Sequence, residues 1–476
     1  MKTKYLILAT AALVLAACNK QEAPAAAEQD APQAVTFDSY LNRGLSTRAG
    51  AEGTIDLTKL KVTGFGVFAY YTDNNDYDAQ SMPNFMYNQK VTYADGTGWS
   101  YTPVKYWPNE YGSNAKADEV DKVSFFAYAP YVKVVPATGK VDVQEGSAAN
   151  ATAEEFQQDG ITGMIRNSAN GDPILKYIGS FDPAKSVDLC WGVVGDTDVN
   201  WNIVQTPETA QAMTAGKPWL NVQHPKGAAD QKLKFTFNHA LSKLNVQIDA
   251  DVDVAAHDET SQLAAGTKIY VRSITFSGFA MKGALNLNNG TANTAEWLDY
   301  AGTNNLVTGE DLVIYDGRKD GKEGVDGAVA SNEKVLGLNP DIISNDKNTT
   351  NGVTHELKNL FGKSGDTAVT AGEFIYVIPT GDDITVTIDY DVETEDSNLP
   401  TLLSDGTKYG SSINNRITKT VSFESGSEVI KKFENGKAYT IKLHLGMNSV
   451  KFDAAVTAWD VTAGETNLWL PANGTN

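Results

Sequence analysis

Apolar and polar residues alternate along most of this chain with a period of two, the spacing of half-buried β-strands. In KLKFTFNHALSKLNVQID, Leu233, Phe235, Phe237 and His239 share one phase, and Leu244, Val246 and Ile248 share the other. A slip of one residue turns the wrong face inward, so the pattern predicts a bulge or bend between Ala240 and Lys243. Ile384, Val386, Ile388 and Tyr390 alternate in EFIYVIPTGDDITVTIDYDV, which reads as a hairpin turning at Thr380 to Asp383. Tyr439, Ile441, Leu443 and Leu445 form another apolar face, as do Val450, Phe452, Ala454, Val456 and Ala458. Val123, Phe125, Ala127 and Ala129 are in phase, and Phe65, Val67, Ala69 and Tyr71 alternate with Gly66, Phe68 and Tyr70 as in a strand covered on both faces. Helical patterning is scarce: TAEEFQQDGITGMI and HELKNLFG read as short helices. The expectation is an all-β chain built of sheet packed on sheet, with no solenoid or propeller repeat.

The N-terminus follows a different pattern. Lys2 and Lys4 precede an apolar run from Tyr5 to Val14, which ends in Leu15-Ala16-Ala17-Cys18. This is a secretory signal, too short and wrongly flanked for a membrane span. Its ending reads as a bacterial lipobox, with Cys18 as the lipidated residue; an ordinary secretory signal with an incidental cysteine is the alternative. The Ala-, Pro- and Glu-rich stretch that follows cannot bury a core and reads as a tether. AVTFDSYL then places Val35, Phe37 and Leu41 on one strand face and Thr36, Asp38 and Tyr40 on the other. Next comes LNRGLSTRAG, a small-residue neck holding two of the chain's six arginines, Arg43 and Arg48. An exposed arginine in such a neck is a protease site. The first choice of bond is Arg48-Ala49 and the second Arg43-Gly44; two ordinary solvated arginines are the alternative.

Composition narrows the functional classes. Among 476 residues the net charge is -20, and the pI is near 4.7. That field repels nucleic acid and anionic lipid, and no basic run offers a phosphate footprint. With only Cys18 and Cys190, the chain is no disulfide scaffold, and Cys190 reads as a small buried residue. The five histidines lack metal-ligand spacing: His239 falls on a buried phase as a core histidine, and His444 falls on an outward one. The Asp- and Gly-rich loops at Asp73–Asp78 and Asp316–Gly327 miss the EF-hand pattern and read as turns. No metalloprotease, nucleophile-elbow or P-loop motif is present, so neither enzyme activity nor a cofactor or resident metal is expected. Trp99, Trp107, Trp191, Trp201, Trp219 and Trp297 could stack on sugars, but packing within sheets is the expected role.

Several motifs together resemble one family. The lipobox, the strand followed by TRAG, VKYWPNE…VSFFAYAPY, LKFTFNHALSKLNVQI and YTIKLHLGMNSVKFDAAVTAWD are similar, in this order, to the fimbrillins of Bacteroidales type V pili. The resemblance runs from Met1 to about Trp459, and F-x-H-x-L-S-K-L at Phe237–Leu244 and V-x-x-W at Val456–Trp459 carry most of it. It implies two tandem β-sandwich domains of transthyretin-like, Greek-key type with few helices. Combined with the chain reading, it divides the protein into a signal peptide (1–18), a tether with a removable strand (19–48), an N-terminal sandwich (49–230) and a C-terminal sandwich (231–476). It further implies lipidation at Cys18, cleavage at Arg48-Ala49 by an arginine-specific protease, and displacement of Val35, Phe37 and Leu41. A donor strand from a neighbouring subunit then fills the gap, with Leu468 and Leu470 in phase and Trp469 opposite in ETNLWLPANGTN.

The implied partners are other pilin subunits in a homo- or heteropolymer, the protease, the lipoprotein export machinery, and a host or bacterial surface ligand. The implied location is the outer membrane and cell surface as a lipoprotein precursor, then the fimbrium, with a role in cell adhesion. The tail after Trp459 is short and contains Pro471, so a tip or anchor subunit stands beside a stalk subunit. A surface carbohydrate-binding lipoprotein of a glycan uptake system is the competing reading, and a hydrolase the third.

Overall fold

The computed structural model describes residues 33–41, 55–108, 121–135, 140–144, 160–165, 173–199 except 182 and 184, 212–223, 232–250, 267–316 except 304, 358–361, 374–425 except 404 and 405, 428–446 and 450–458. Strands are the dominant regular structure among those residues, in keeping with the two-residue periodicity, and they lie in layered sheets.

The largest sheet has eight strands. In spatial order it runs β1 (Phe37–Leu41), β12 (Leu233–His239), β10 (Cys190–Val194), β5 (Val123–Ala129), β2 (Phe65–Tyr71), β3 (Met86–Ala94) and β4 (Gly98–Ser100), with β11 (Trp219–Val222) also paired to β5. Both faces of this sheet are covered, which explains why β2 and β5 read as continuous apolar runs. On one face Phe65, Val67, Phe125, Ala127, Phe235 and Phe237 meet Val35, Phe37, Ile55, Leu60 and Trp107 in a single core. The other face, carrying Phe68, Tyr70, Phe126, Tyr128 and Trp191, packs on a second sheet. That sheet runs β17 (Glu296–Leu298), β16 (Lys282–Asn286), β9 (Ile174–Ile178), β8 (Gly160–Ile165), β7 (Lys140–Gln144) and β6 (Val132–Val135).

A further core lies between two other sheets. One runs β15 (Phe279–Ala280), β20 (Ile375–Pro379), β13 (Ser242–Ala250), β25 (Lys437–Leu445) and β26 (Val450–Ala458), with β19 (Lys358–Asn359) also on β13. The facing sheet runs β18 (Leu312–Asp316), β14 (Thr267–Ser277), β21 (Thr385–Glu395) and β22 (Gly410–Thr420).

Several local expectations are corrected. Of the bulge or bend expected between Ala240 and Lys243, the bend forms, at Leu241, and it is no bulge within one strand but a crossover between sheets: β12 ends in the eight-stranded sheet, and β13 begins in another after Ala240 and Leu241. Thr380–Asp383 likewise is no hairpin. The chain turns a corner there, because β20 pairs with β13 and β15 while β21 pairs with β14 and β22. The described part of the first expected helix is β8, and that of the second contains β19. The helix among the described residues is instead α1 (Leu57–Thr63). The Asp56 side chain caps it by accepting the Lys59 N–H at 2.6 Å. Gly64 ends it at φ 70°, with its N–H on the Leu60 carbonyl. The boundary expected near residue 230 falls between β11 and β12, both of which belong to the eight-stranded sheet.

Candidate functional site

The segment from 33 to 41 enters the structure as an extended strip between two partners. On one side β1 runs parallel to β12, with Phe37 opposite Leu233, Ser39 opposite Phe235 and Leu41 opposite Phe237. The Leu233 N–H donates to the Thr36 carbonyl at 2.9 Å. On the other side, residues 33–35 pair with 105–107: Val35 N–H donates to the Lys105 carbonyl at 2.9 Å and Trp107 N–H to the Gln33 carbonyl at 3.0 Å. The Tyr101 hydroxyl secures this crossing by donating to the Val35 carbonyl at 2.8 Å. Burial holds that phenol neutral and raises its pKa to about 12; the backbone hydrogen bond at Lys105 opposes the shift, and Tyr106 adds to it.

The inward face of the strip supplies core, not surface. Val35 is fully buried and Phe37 is 2% exposed. Leu41 is partly buried and packs on the same core, while Tyr40 points outward. The Phe37 ring lies 5.3 Å from Tyr101, 5.9 Å from Phe235 and 6.0 Å from Phe125, edge-on to the last. Room for Phe235 depends on Gly192 of β10, where a Cβ would lie 2.9 Å from the Phe235 ring. Burying Val35 and Phe37 contributes about 1.5–3 kcal/mol each. The strip is thus an edge strand whose side chains complete an otherwise open core.

The chain downstream of the neck is held separately. Ile55, the first described residue after it, donates its N–H to Asp188 Oδ2 at 3.0 Å. His239 Nδ1 donates to the same oxygen at 2.8 Å, and Leu189 N–H donates to Oδ1 at 2.8 Å. Cys190 Sγ lies 3.4 Å from His239 Nδ1. Asp188, Cys190 and His239 have ligand atoms within 4.8 Å of one another, and all three residues are buried. The Asp188 oxygens are already engaged by two backbone amides and a histidine, so the cluster works as a clamp on the chain, with its donors turned to structural use. His239 is a core histidine that accounts for the break in the apolar run on β12.

His444 requires a correction. It is 3% exposed rather than solvated, and its Nδ1 donates to Asp249 Oδ1 at 2.6 Å. It lies opposite Asp249 in the parallel pairing of β25 with β13, a register that no local pattern reveals. Trp107, Trp191, Trp219 and Trp297 are buried, Trp99 packs on the core beside Phe65, and Trp201 lies outside the described residues.

Val35, Phe37 and Leu41 are therefore brought together on one face. Cys18, Arg43, Gly44, Arg48, Ala49, Leu468, Trp469 and Leu470 lie outside the described residues. The sequence pattern did not disclose Ser39, Tyr101 or Asp188 as parts of the site. Ser39 shares the inward phase, which was the available signal; Tyr101 and Asp188 join it only through long-range pairing. Among the described residues, no helix is long and apolar enough to cross a membrane.

No protein-family model matches the chain, and no curated protein matches it. Solved structures do. A fimbrial protein from Bacteroides vulgatus is similar at 18% identity over 90% of this chain and 99% of its own, with a TM-score of 0.44. A candidate cell-adhesion protein from Bacteroides uniformis is similar at 13% identity over 90% of this chain and 98% of its own, with a TM-score of 0.34. A fimbrial protein from Bacteroides ovatus is similar at 13% identity over 51% of this chain and 37% of its own, with a TM-score of 0.20. At these scores the superpositions are loose, and the functional reading rests on this chain's own geometry.

Proposed function

We propose that this protein is a structural pilus subunit of the cell surface, completed in its precursor form by its own N-terminal strand and in the fibre by a strand from a neighbour. The observation that carries the reading is the position of β1. It is an edge strand whose Phe37, with Val35 just before it, is buried in the core, and it immediately precedes the arginine neck. One cut in the neck turns that core element into a separate peptide held only by non-covalent contacts. Its departure exposes the edge of β12 and an apolar strip, the surface that strand addition fills. A donor from one subunit entering the next makes a head-to-tail interface, and such interfaces extend into filaments unless they close into rings.

In this reading the signal peptide delivers the chain to the outer membrane with lipid on Cys18. An arginine-specific protease cuts Arg48-Ala49, with Arg43-Gly44 as the second choice, and frees the body from its lipid. The donor of each subunit is its C-terminal Leu468-Trp469-Leu470 segment; a tip or anchor subunit would accept a strand without passing one on. Its partners are other pilin subunits, the protease and the lipoprotein export machinery, and adhesion is the function of the finished fibre.

The test is treatment of purified precursor with an arginine-specific protease, followed by mass spectrometry and sizing. The expected result is a folded body beginning at Ala49 that forms oligomers, with Arg48→Ala combined with Arg43→Ala remaining monomeric. Native surface protein that keeps residues 33–41 in its own sheet, or assembly unaffected by loss of both arginines, overturns the reading.

A further inference from the structure

The strip from 33 to 41 fits its groove well at two inward positions and badly at a third. Ser39 shares the inward phase with Val35, Phe37 and Leu41, and its register partner is Phe235. It is 6% exposed, yet among the described residues its Oγ has no hydrogen-bond partner. Its own N–H turns to the neighbouring Asp38 Oδ1 at 2.9 Å. The surrounding core is aromatic and aliphatic, formed by Phe37, Phe235, Phe237 and their neighbours. A hydroxyl taken from water into such a setting loses its hydrogen bonds without replacement. The strand also changes partner along its length: residues 33–35 bond to 105–107, while β1 pairs only with β12 among the described strands.

Resting on the strand-exchange reading above, we propose that Ser39 marks the specificity-determining subsite of the groove. The preferred occupant is an extended segment of a second polypeptide that presents a small apolar side chain at the place of Ser39, after larger apolar residues at the places of Val35 and Phe37. The resident strand fills the groove well enough to fold the precursor, and its buried hydroxyl leaves it weaker than such a partner. The difference drives replacement toward the incoming strand without any further energy source.

Two measurements test this. In the intact chain, Ser39→Ala and Ser39→Cys remove or replace only the hydroxyl. Amide hydrogen exchange over residues 37–41 should slow about tenfold, equivalent to about 1.4 kcal/mol. Unchanged or faster exchange in both variants overturns the subsite. In the second measurement, precursor cut by an arginine-specific protease is offered two synthetic peptides, AVTFDSYL and AVTFDAYL. The alanine peptide should be retained about tenfold more tightly. Equal retention overturns the Ser39 subsite while leaving strand exchange intact. Retention of neither peptide overturns strand exchange itself, and this proposal with it.

Discussion

At the residue scale, the N-terminal strip is held by a specific polar contact as well as by apolar burial. Tyr101 donates to the Val35 carbonyl, and its oxygen also accepts the Lys105 N–H at 3.2 Å. A phenolate could accept but not donate, so ionisation would break the latch. Burial raises the Tyr101 pKa from 10.0 to about 12. The stability tied to this group is therefore fully present below pH 10 and is lost as pH rises toward about 12, because the unfolded or detached form ionises first. Protection of residues 33–37 from hydrogen exchange, taken relative to the base-catalysed intrinsic rate, should fall in that window in the wild-type chain. Tyr101→Phe should start with faster exchange and lack this component of the pH response. A wild-type profile that stays flat up to pH 12 would show that the phenol does not hold the strip. Periodicity alone identified Val35, Phe37 and Leu41 as one face, because that information is local. It gave no access to Tyr101, Asp188 or the His444–Asp249 pair, whose partners are 66, 133 and 195 residues distant respectively.

At the scale of elements, two adjacent pieces of chain have opposite fates in the proposed function, and their attachments differ accordingly. β1 is held by its side chains and one edge of β12, whereas the start of α1 is tied to the sheet by the Asp188 clamp. Asp188→Ala leaves the Ile55 N–H and His239 without their shared acceptor in a buried site. Leaving a buried donor without its acceptor typically costs about 1–3 kcal/mol. Denaturant unfolding of the variant should show a loss of that order, and protease treatment should then trim the chain beyond Ile55 instead of stopping in the neck. Unaltered stability and trimming would mean that α1 is held by Leu60 and its core contacts alone. The strands themselves were largely legible, since β12, β21, β25 and β26 follow their alternation. Their connections were not. Alternation is identical on the two sides of a corner and of a hairpin, so Thr380–Asp383 and the break after His239 could be assigned only from pairing. α1 was missed because one turn or two of helix carries too little periodicity to stand out, although Asp56 before LTKLKVT was a usable cap signal.

At the scale of the whole molecule, the path of the chain through its sheets matters more than its linear order. β12 returns to the first sheet after residue 230, the chain then contributes β13 and β14 to the two later sheets, and β16 returns to pair with β9, with β17 beyond it. Tyr376 and Ile378 of β20 also pack in the core beneath Phe126 and Tyr128. The boundary expected at residue 230 follows position along the chain, which does not record the sheet that the next strand joins. Dividing the chain there removes β12 from β10 and β16 from β9, exposing two strand edges and part of each adjoining core. Residues 49–230 expressed alone should therefore be poorly soluble or show the expanded, dye-binding behaviour of a chain that lacks fixed packing. A single nick between 223 and 232 in the intact protein should leave the two fragments associated through size exclusion, and they should unfold together in one calorimetric transition. Two separate transitions, or a well-dispersed NMR spectrum from 49–230 alone, would show that the returning strands are dispensable. This interlocking bears directly on the proposed assembly: β12, the wall of the groove, belongs to the chain that continues into the later sheets, so force applied to an inserted strand passes through both sets of sheets instead of peeling one away.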